Sequence, residues 1–427
     1  MATPTQMTEQ LRQGAHDAAL EKLYGSEALP RQKERYTRCI ATFAEHYGDD
    51  RDISIYSAPG RTEIGGNHTD HNNGLVLAAA VNLDIIAVVA KSESATVRLR
   101  SEGFSKEDVV DIGDLAVHPE EEGRSSALIR GVAAGIAEAG GQIGGFDAFT
   151  TSDVLKGSGL SSSAAFEVCL GEIFNGEFCE GRFNPVQIAM FGQRAENVFF
   201  GKPSGLMDQT ACSVGSVVGI DFEDPANPVV QKVELDTAAF GCALVITDTK
   251  GDHADLTSEY AAIRAEMEQV AQTFGQPLLR RVPRDAFMQK IPALRQQLGD
   301  RAVLRAIHYY EECRRVPQLI EAIRAGEYSR FLALITESGH SSFEYNQNAY
   351  ASAQPKNQGV PLGLALSQLA LDGRGAYRLQ GGGFAGTIQA FVPLDLLDAY
   401  CGALGAVFGA DACHVLSVRG VGGTRVI

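Results

Sequence analysis

Apolar residues recur along the chain in two spacings, one typical of helices and one typical of strands. A three- to four-residue spacing predicts helical structure over 5–48, broken near Pro30, and again over 125–139. Alternating or continuous apolar runs predict strands at 53–57, 75–90, 95–100 and 145–152. Because several strands follow one another without an intervening helix, the pattern favours an α+β fold over a doubly wound parallel sheet.

The second half of the chain repeats this mixture. Strands are predicted at 215–221 and 241–249, and a glycine-rich turn between two strand-like runs is predicted at 375–392. Helices are predicted at 253–275, 284–298, 300–350 and 360–371. With 427 residues the chain is too long for one small core, so we expect two lobes with a cleft between them. The predicted division is a helical arm (1–50), a first lobe (51–240) and a second lobe (241–427).

Two polar stretches interrupt these elements. The first, 58–74, is rich in glycine and is predicted to be a loop. The second, 154–168, is a glycine- and serine-rich loop that opens a helix, and a further helix is predicted at 185–200. Glycines permit close backbone approach, and a helix N-terminus capped by Ser161, Ser162 or Ser163 attracts anions such as a phosphate chain. An ordinary serine-capped helix remains the alternative on composition alone.

The net charge of −16 disfavours binding to nucleic acid or to anionic membranes. Eight cysteines are scattered singly without a C-x-x-C pair, which predicts free, buried thiols. We find no signal-peptide pattern and no apolar run of about 18 residues, the length that a membrane span needs. We therefore expect a cytoplasmic protein that is a monomer or a weak oligomer.

Three motifs occur in series: Pro-Gly-Arg through Asn-His-Thr-Asp at 59–70, Gly-Ser-Gly-Leu-Ser-Ser-Ser-Ala-Ala at 157–165, and Gly-Gly-Gly-Phe-Ala-Gly at 381–386. In this order they resemble the GHMP small-molecule kinases, and the galactokinases most closely. The segment 205–209 resembles the one that carries the galactokinase catalytic aspartate. The resemblance implies a two-lobed α+β fold with mixed and antiparallel sheets, an active site in the cleft, and ATP-dependent phosphorylation of a monosaccharide, galactose above all, at its anomeric hydroxyl.

Phosphoryl transfer to a sugar requires an acceptor-side carboxylate, a nearby cation, Mg²⁺ and a phosphate cradle. The resemblance implies that Asp208 is this carboxylate and that Arg61 holds it ionised and stabilises the transferred charge. It further implies that Ser163 and Glu196 are the Mg²⁺ ligands. The implied ATP-binding residues are Gly157, Ser158, Gly159, Leu160, Ser161, Ser162, Ser163, Gly382 and Gly383.

The implied sugar contacts are Asn67, His68, Asp70, Gly205 and Tyr260. Galactokinases usually read Val-Asn-Leu-Ile-Gly-Glu-His-Thr-Asp after the arginine, whereas here Thr-Glu-Ile-Gly-Gly-Asn-His-Thr-Asp follows it. The family glutamate is near the C6 hydroxyl of the sugar, and the amide of Asn67 can bind a carboxylate as well as a hydroxyl.

This departure leaves two alternatives to galactose: a kinase for another sugar, such as galacturonate or a pentose, and a non-catalytic galactokinase-like sugar sensor. We expect galactose, because no arginine or lysine within 62–74 is available to pair with a sugar carboxylate. On that expectation, Asn67→Glu is tolerated. The presence of Arg61, Asp208 and Glu196 disfavours a sensor, which has no need of groups for phosphoryl transfer.

Overall fold

A computed structural model describes residues 2–154, 159–235, 241–251, 256–352 and 354–427. The helices are α1 (Pro4–Arg12), α2 (Asp17–Tyr24), α3 (Leu29–Tyr47), α4 (Ser125–Glu138), α5 (Ser162–Phe178), α6 (Pro185–Arg194), α7 (Met207–Val214), α8 (Thr257–Gln272), α9 (Arg284–Leu298), α10 (Asp300–Ala325), α11 (Tyr328–Ser341), α12 (Gly359–Leu371) and α13 (Leu397–Phe408). Two π-helical segments, Ala195–Phe200 and Ser342–Asn346, follow α6 and α11 directly.

The strands are β1 (Ser54–Gly65), β2 (Leu75–Lys91), β3 (Thr96–Ser101), β4 (Asp108–Asp111), β5 (Phe146–Ser152), β6 (Val217–Asp221), β7 (Val229–Val233), β8 (Cys242–Asp248), β9 (Ala376–Leu379), β10 (Thr387–Pro393), β11 (Cys413–Leu416) and β12 (Thr424–Arg425). They form two sheets. The larger has the order β12-β1-β2-β5-β3-β4, with β6 paired to β2 and β7 paired to β6. The smaller has the order β11-β8-β10-β9.

Within the larger sheet the β3–β5 pair is parallel and the other described pairs are antiparallel. The smaller sheet is antiparallel throughout its described pairs. Helices α4 to α7 pack together beside the larger sheet, where α5 and α7 contact β1 and β2. This mixed architecture confirms the α+β prediction.

The larger sheet is built from both ends of the chain. Strands β1 to β7 precede residue 241, but β12 pairs with β1 through Tyr56↔Arg425 and Ser57↔Thr424. The final residues of the predicted second lobe, 241–427, therefore lie in the first sheet. The predicted boundary at 240 falls outside the described residues, which omit 236–240.

A buried carboxylate fixes the N-terminal arm to this sheet. Asp84 of β2 accepts hydrogen bonds from Arg35 Nη1 of α3 at 2.6 Å and from Arg419 Nη1 at 2.8 Å. The Tyr24 hydroxyl of α2 donates to the same carboxylate at 2.6 Å. All three side chains are buried, as is Asp84 itself. One charge thus joins α2, α3, β2 and the C-terminal segment.

Most predicted elements are confirmed within a few residues, including the helices at 125–139, 284–298 and 360–371 and the strands at 75–90 and 145–152. The loop predicted at 58–74 is wrong over 58–65, because β1 continues to Gly65 and pairs with β2. Its polar side chains have buried partners, so their polarity does not mark a loop. The sequence pattern did not predict β4, β7, α7 and α13.

The prediction for the cysteines is confirmed in part. All eight are free, but only Cys39, Cys169, Cys179, Cys212 and Cys242 are buried, while the other three are half-buried. In the described ranges, no helix has the length and apolar character that a membrane crossing requires.

We expect Asp84→Asn to lower the free energy of unfolding by about 3–5 kcal/mol, because Arg35 and Arg419 lose their shared charge in a buried site. Urea denaturation measures this loss. The matched control is Asp395→Asn, which breaks an exposed bidentate pair with Arg374 and should change stability far less. Equal losses in the two variants would show that Asp84 is not a structural centre.

Candidate active site

An arginine–carboxylate pair lies where β1 meets α7. Arg61 of β1 binds Asp208, the second residue of α7, in a bidentate arrangement, with Nε–Oδ1 and Nη2–Oδ2 both 2.6 Å. The Arg61 side chain is buried, whereas 29% of the Asp208 side chain is exposed. Burial raises the pKa of the Asp208 carboxyl, but the charge and hydrogen bonds of Arg61 outweigh burial and lower it overall. Asp208 is therefore an ionised, partly exposed carboxylate.

The glycine- and serine-rich loop that opens α5, here called the serine loop, contacts the same pair. Ser161 Oγ donates to Asp208 Oδ2 at 2.5 Å, and Arg61 Nη1 donates to the carbonyl oxygen of Gly159. The carbonyl of Leu160, whose side chain is buried, accepts from the Arg61 backbone N–H at 3.0 Å. Predicted residues Gly157 and Ser158 lie outside the described residues.

The predicted capping role of Ser161 is wrong. Ser161 occupies the N-cap position of α5 with φ 59°, where its side chain makes no capping hydrogen bond and donates to Asp208. The first amides of α5 are consequently left without a side-chain cap. Ser162, the first residue of α5, is half-buried beside these amides.

Ser163 and Glu196, the Mg²⁺ ligands that the resemblance implies, lie in contact with each other. Ser163 Oγ is 3.4 Å from Glu196 Oε1, and Glu196 is the second residue of the π-helical segment after α6. Lys202 Nζ donates to Glu196 Oε1 at 2.8 Å, and Gln209 Nε2 donates to Glu196 Oε2 at 3.0 Å. Among the described residues, no group of three or more His, Cys, Asp or Glu is placed to hold one metal ion.

The loop between β1 and β2 brings Asp70 against the entry to α7. A Cβ atom added to Gly205 would overlap Asp70 Oδ2, so a larger residue at position 205 would displace the Asp70 carboxylate. The Asp70 side chain is 15% exposed, and its Oδ1 is 3.7 Å from His71 Nε2. Two of the predicted sugar contacts, Asp70 and Gly205, therefore adjoin each other.

The third glycine motif contacts predicted sugar residues. The Asn67 side-chain amide donates to the carbonyl of Gly381 at 2.8 Å, and the Tyr260 hydroxyl donates to that of Gly383 at 2.8 Å. His68 Nε2 is 2.9 Å from the carbonyl oxygen of Gly382. Burial and the neighbouring His71 lower the pKa of His68 to about 4, so the ring is neutral and donates here. Gly382 and Gly383, predicted to bind ATP, are thus placed against the sugar residues.

Asn67 is not placed as a free contact for a sugar. Its side chain is 1% exposed, and Nδ2 donates to Glu63 at 3.0 Å from Oε1 and 3.2 Å from Oε2 as well as to Gly381. Its Oδ1 accepts from Asn348 Nδ2 at 2.8 Å. Buried neighbours therefore use both ends of the Asn67 amide, and its contact with the C6 group of a sugar stays a prediction.

A layer of buried polar side chains joins the two sheets at this site. Arg378 Nη2 of β9 donates to Glu63 Oε1 at 2.6 Å, and Gln389 Nε2 of β10 donates to Thr62 Oγ1 at 2.6 Å. Sequence spacing identifies neither Glu63 nor Arg378, since they are more than 300 positions apart. The only signal for Glu63 is that it stands where the galactokinase pattern has asparagine.

Two family models match segments of this chain, and two curated relatives match most of its length. The family model described as the galactokinase galactose-binding signature matches residues 41–91, and the model for the GHMP kinase N-terminal domain matches 127–216. The galactokinase of Streptomyces coelicolor is 32% identical over 374 residues, which cover 86% of this chain and 92% of that protein. The galactokinase of Glaesserella parasuis is 33% identical over 368 residues, or 84% and 89% of the two chains.

Solved structures show the same fold. The crystal structure of Lactococcus lactis galactokinase complexed with galactose matches with a TM-score of 0.75 at 24% identity, covering 90% of this chain and 98% of that one. Methanococcus jannaschii mevalonate kinase matches with a TM-score of 0.61 at 13% identity, covering 86% and 98%.

The glycine motif supplies a matched pair of substitutions. Gly381 and Gly383 both have positive φ, at 66° and 82°, but only at Gly383 would a Cβ overlap a neighbouring backbone atom, the Asn348 carbonyl oxygen. We expect Gly381→Ala to lower the free energy of unfolding by about 1 kcal/mol because of backbone strain. Gly383→Ala should lower it by about 1–3 kcal/mol more because of the overlap. Chemical denaturation of both variants checks the difference. Equal costs would mean that Asn348 does not pack against this turn.

Proposed function

This chain belongs to the galactokinase family of GHMP kinases, and we propose that its Arg61–Asp208 pair transfers the γ-phosphoryl group of ATP to the anomeric hydroxyl of galactose. The observation that carries the proposal is the bidentate pair itself, which holds an ionised, partly exposed carboxylate beside the serine loop. The product is galactose 1-phosphate. Asp208 provides the carboxylate next to the sugar hydroxyl, and Arg61 provides the cation. The serine loop before α5 provides the phosphate site that the reaction needs.

Asp208 orients the sugar hydroxyl. One oxygen of this partly exposed carboxylate accepts a hydrogen bond from the anomeric O–H and takes up the proton as the new O–P bond forms. The bond between the γ-phosphorus and the bridging oxygen breaks, and its electron pair leaves with ADP. Because Arg61 lowers the pKa of Asp208, the carboxylate is a weak base, and its main contribution is to aim the hydroxyl in line with the phosphorus.

Arg61 and α5 act on the phosphate side. Arg61 contacts both Asp208 and the Gly159 carbonyl, so its charge lies between the acceptor and the serine loop. The uncapped amides at the start of α5 and the helix dipole favour a phosphate group next to Ser162. Together they stabilise the negative charge that is shared by the attacking and leaving oxygens during transfer.

Ser163 and Glu196 fit a Mg²⁺ ion by their chemistry. A hydroxyl and a carboxylate 3.4 Å apart are hard oxygen donors, and Mg²⁺ commonly uses one or two such protein groups together with water and substrate phosphates. When bound, the ion would neutralise charge on the phosphates of ATP. Gln209 holds the second oxygen of Glu196 and so fixes the orientation of the carboxylate toward Ser163.

Galactose is favoured over a uronic acid by the charge of the site. Asn67 has no free amide for a sugar carboxylate, and the adjacent Glu63 is itself a carboxylate. A C6 carboxylate near Asp70 would meet a like charge, and residues 62–74 contain no arginine or lysine to pair with it. Turnover assays that follow ADP release with galactose, galacturonate and a pentose test the proposal. We expect turnover with galactose; binding of ATP and galactose without turnover would instead identify a sensor.

Asp208→Asn should lower kcat by about 10²-fold or more, since the amide cannot take up the hydroxyl proton. Both ligands should still bind in calorimetric titrations, because the amide oxygen retains a contact with Arg61. The control is Ser161→Ala, which removes one hydrogen bond to Asp208 but keeps the carboxylate and should have a smaller effect on kcat. Near-normal turnover of Asp208→Asn would remove this residue from the mechanism.

A further inference from the structure

Glu63 is a buried carboxylate that the transfer step does not use. Its side chain is almost fully buried, near the end of β1, and Arg378 Nη2 donates to its Oε1 at 2.6 Å. Arg378 Nη1 also donates to the Glu63 carbonyl oxygen at 3.1 Å. Burial raises the pKa of Glu63, whereas the guanidinium of Arg378 opposes that rise. A charged pair is therefore built between β1 of the larger sheet and β9 of the smaller one.

This carboxylate determines how the Asn67 side chain is turned. Both Glu63 oxygens lie within hydrogen-bond distance of Asn67 Nδ2, at 3.0 and 3.2 Å. An amide beside a carboxylate must present its NH₂ group, so the oxygen of Asn67 is directed to the NH₂ group of Asn348. The orientation of Asn67 follows from the charge at position 63.

The backbone around Asn67 is fixed at the same time. The N–H of Gly66 donates to Glu312 Oε2 at 2.8 Å, and His308 Nε2 is 2.8 Å from the carbonyl oxygen of Asn67. The next residue, His68, has φ 57° and reaches the Gly382 carbonyl. A displacement of Asn67 would therefore move His68, and with it the loop that carries Asp70.

The galactokinase pattern contains the same two groups in the opposite order. Counted from the arginine, the family has asparagine in the second place and glutamate in the sixth, whereas this chain has Glu63 and Asn67. The pair contains one carboxylate and one amide in both cases. The structure adds the direct hydrogen bond between the two side chains, which makes their identities depend on each other.

We propose that Glu63 is a positioning residue of the sugar site and that positions 63 and 67 function as one pair, which accommodates a single carboxylate. In this chain the carboxylate stands at 63, is neutralised by Arg378, and holds Asn67 so that His68 and Asp70 face the sugar. The inference rests on the proposed galactose kinase activity. It also replaces the expectation that Asn67→Glu is tolerated, because that change would set two carboxylates side by side whatever the sugar is.

Isosteric substitutions test the pair without changing its volume. Asn67→Asp places a carboxylate oxygen about 3 Å from Glu63 and should raise the KM for galactose by about 10-fold or more, as like charges do at a desolvated contact. The KM for ATP should rise less than the KM for galactose, because Asn67 contacts the Gly381 carbonyl but makes no hydrogen bond to the described residues of the serine loop. The double variant Glu63→Gln with Asn67→Asp moves the single carboxylate to position 67 and should recover about 5-fold or more of the loss.

The control is Asp147→Asn, which removes a different buried carboxylate, one that is paired with Arg51 and Arg98. It should lower the thermal midpoint and leave the KM for galactose unchanged. The proposal would be overturned if the fold-increase in the KM for galactose in the double variant equals the product of the fold-increases in the two single variants. If Asn67→Asp does not fold, the yield of folded double variant decides instead: recovery of folded protein supports the pair, and equal failure overturns it.

The two proposals fail in different ways. If the unmodified protein does not phosphorylate galactose, the proposed function is wrong and the KM values of the variants cannot be compared with it. The thermal midpoints of the unmodified protein, the two single variants and the double variant still report whether positions 63 and 67 are coupled. If the unmodified protein turns over galactose and the cycle shows no coupling, only the role of Glu63 is wrong.

Discussion

The structure depends on the need to partner the polar side chains of β1, a strand that is buried along its whole length. A buried polar or charged group without a partner costs several times what a hydrogen bond contributes, so each of these side chains requires a specific neighbour. Arg61 obtains Asp208 from α7, Thr62 obtains Gln389 from β10, and Glu63 obtains Arg378 from β9. Three successive residues thus draw three separate elements to one place, and the cleft lies where those elements meet.

The strand can do this because its pairing with β2 is irregular. Register shifts occur between Pro59 and Arg61 and between Glu63 and Gly65, on either side of the polar triplet. Irregularities of this kind bend a strand and change the direction of its side chains, and they are common beside active sites. Regular alternation would send neighbouring side chains to opposite faces. Here α5, α7, α10 and α11 contact the strand, and side chains from β9 and β10 of the smaller sheet reach Glu63 and Thr62.

The fold was predictable from the sequence to a large extent because its long elements have strong apolar patterns. Strand β2 and helix α9 are examples in which spacing alone located the element. The pairing of Arg61 with Asp208 was predictable only through the resemblance, and the structure places the two residues in direct contact. The end of β1 was mispredicted because its polar residues look solvated until the partners supplied by β9 and β10 are known.

The partners of the small polar residues were not predictable, for a physical reason. The Asn67 amide and the Ser161 hydroxyl each have a local role available, as a ligand contact and as a helix cap. Both instead bind carboxylates: Asn67 binds Glu63, four positions earlier in the chain, and Ser161 binds Asp208, which folding brings close from α7. A charged acceptor forms a stronger hydrogen bond than a backbone amide or a sugar hydroxyl does. Which competing partner wins depends on tertiary distances, and these are not encoded in the spacing of one motif.

The return of the C-terminal segment to the first sheet has a consequence for biosynthesis. Residues 417–427 supply Arg419 to the buried Asp84 and β12 to the edge of β1, yet the ribosome makes them after the entire smaller sheet. Until they emerge, the nascent first lobe has an unpaired strand edge and a carboxylate with only one of its two arginines. An exposed edge of this kind is prone to pair with other chains. The larger sheet, although most of its strands are translated first, is therefore completed last.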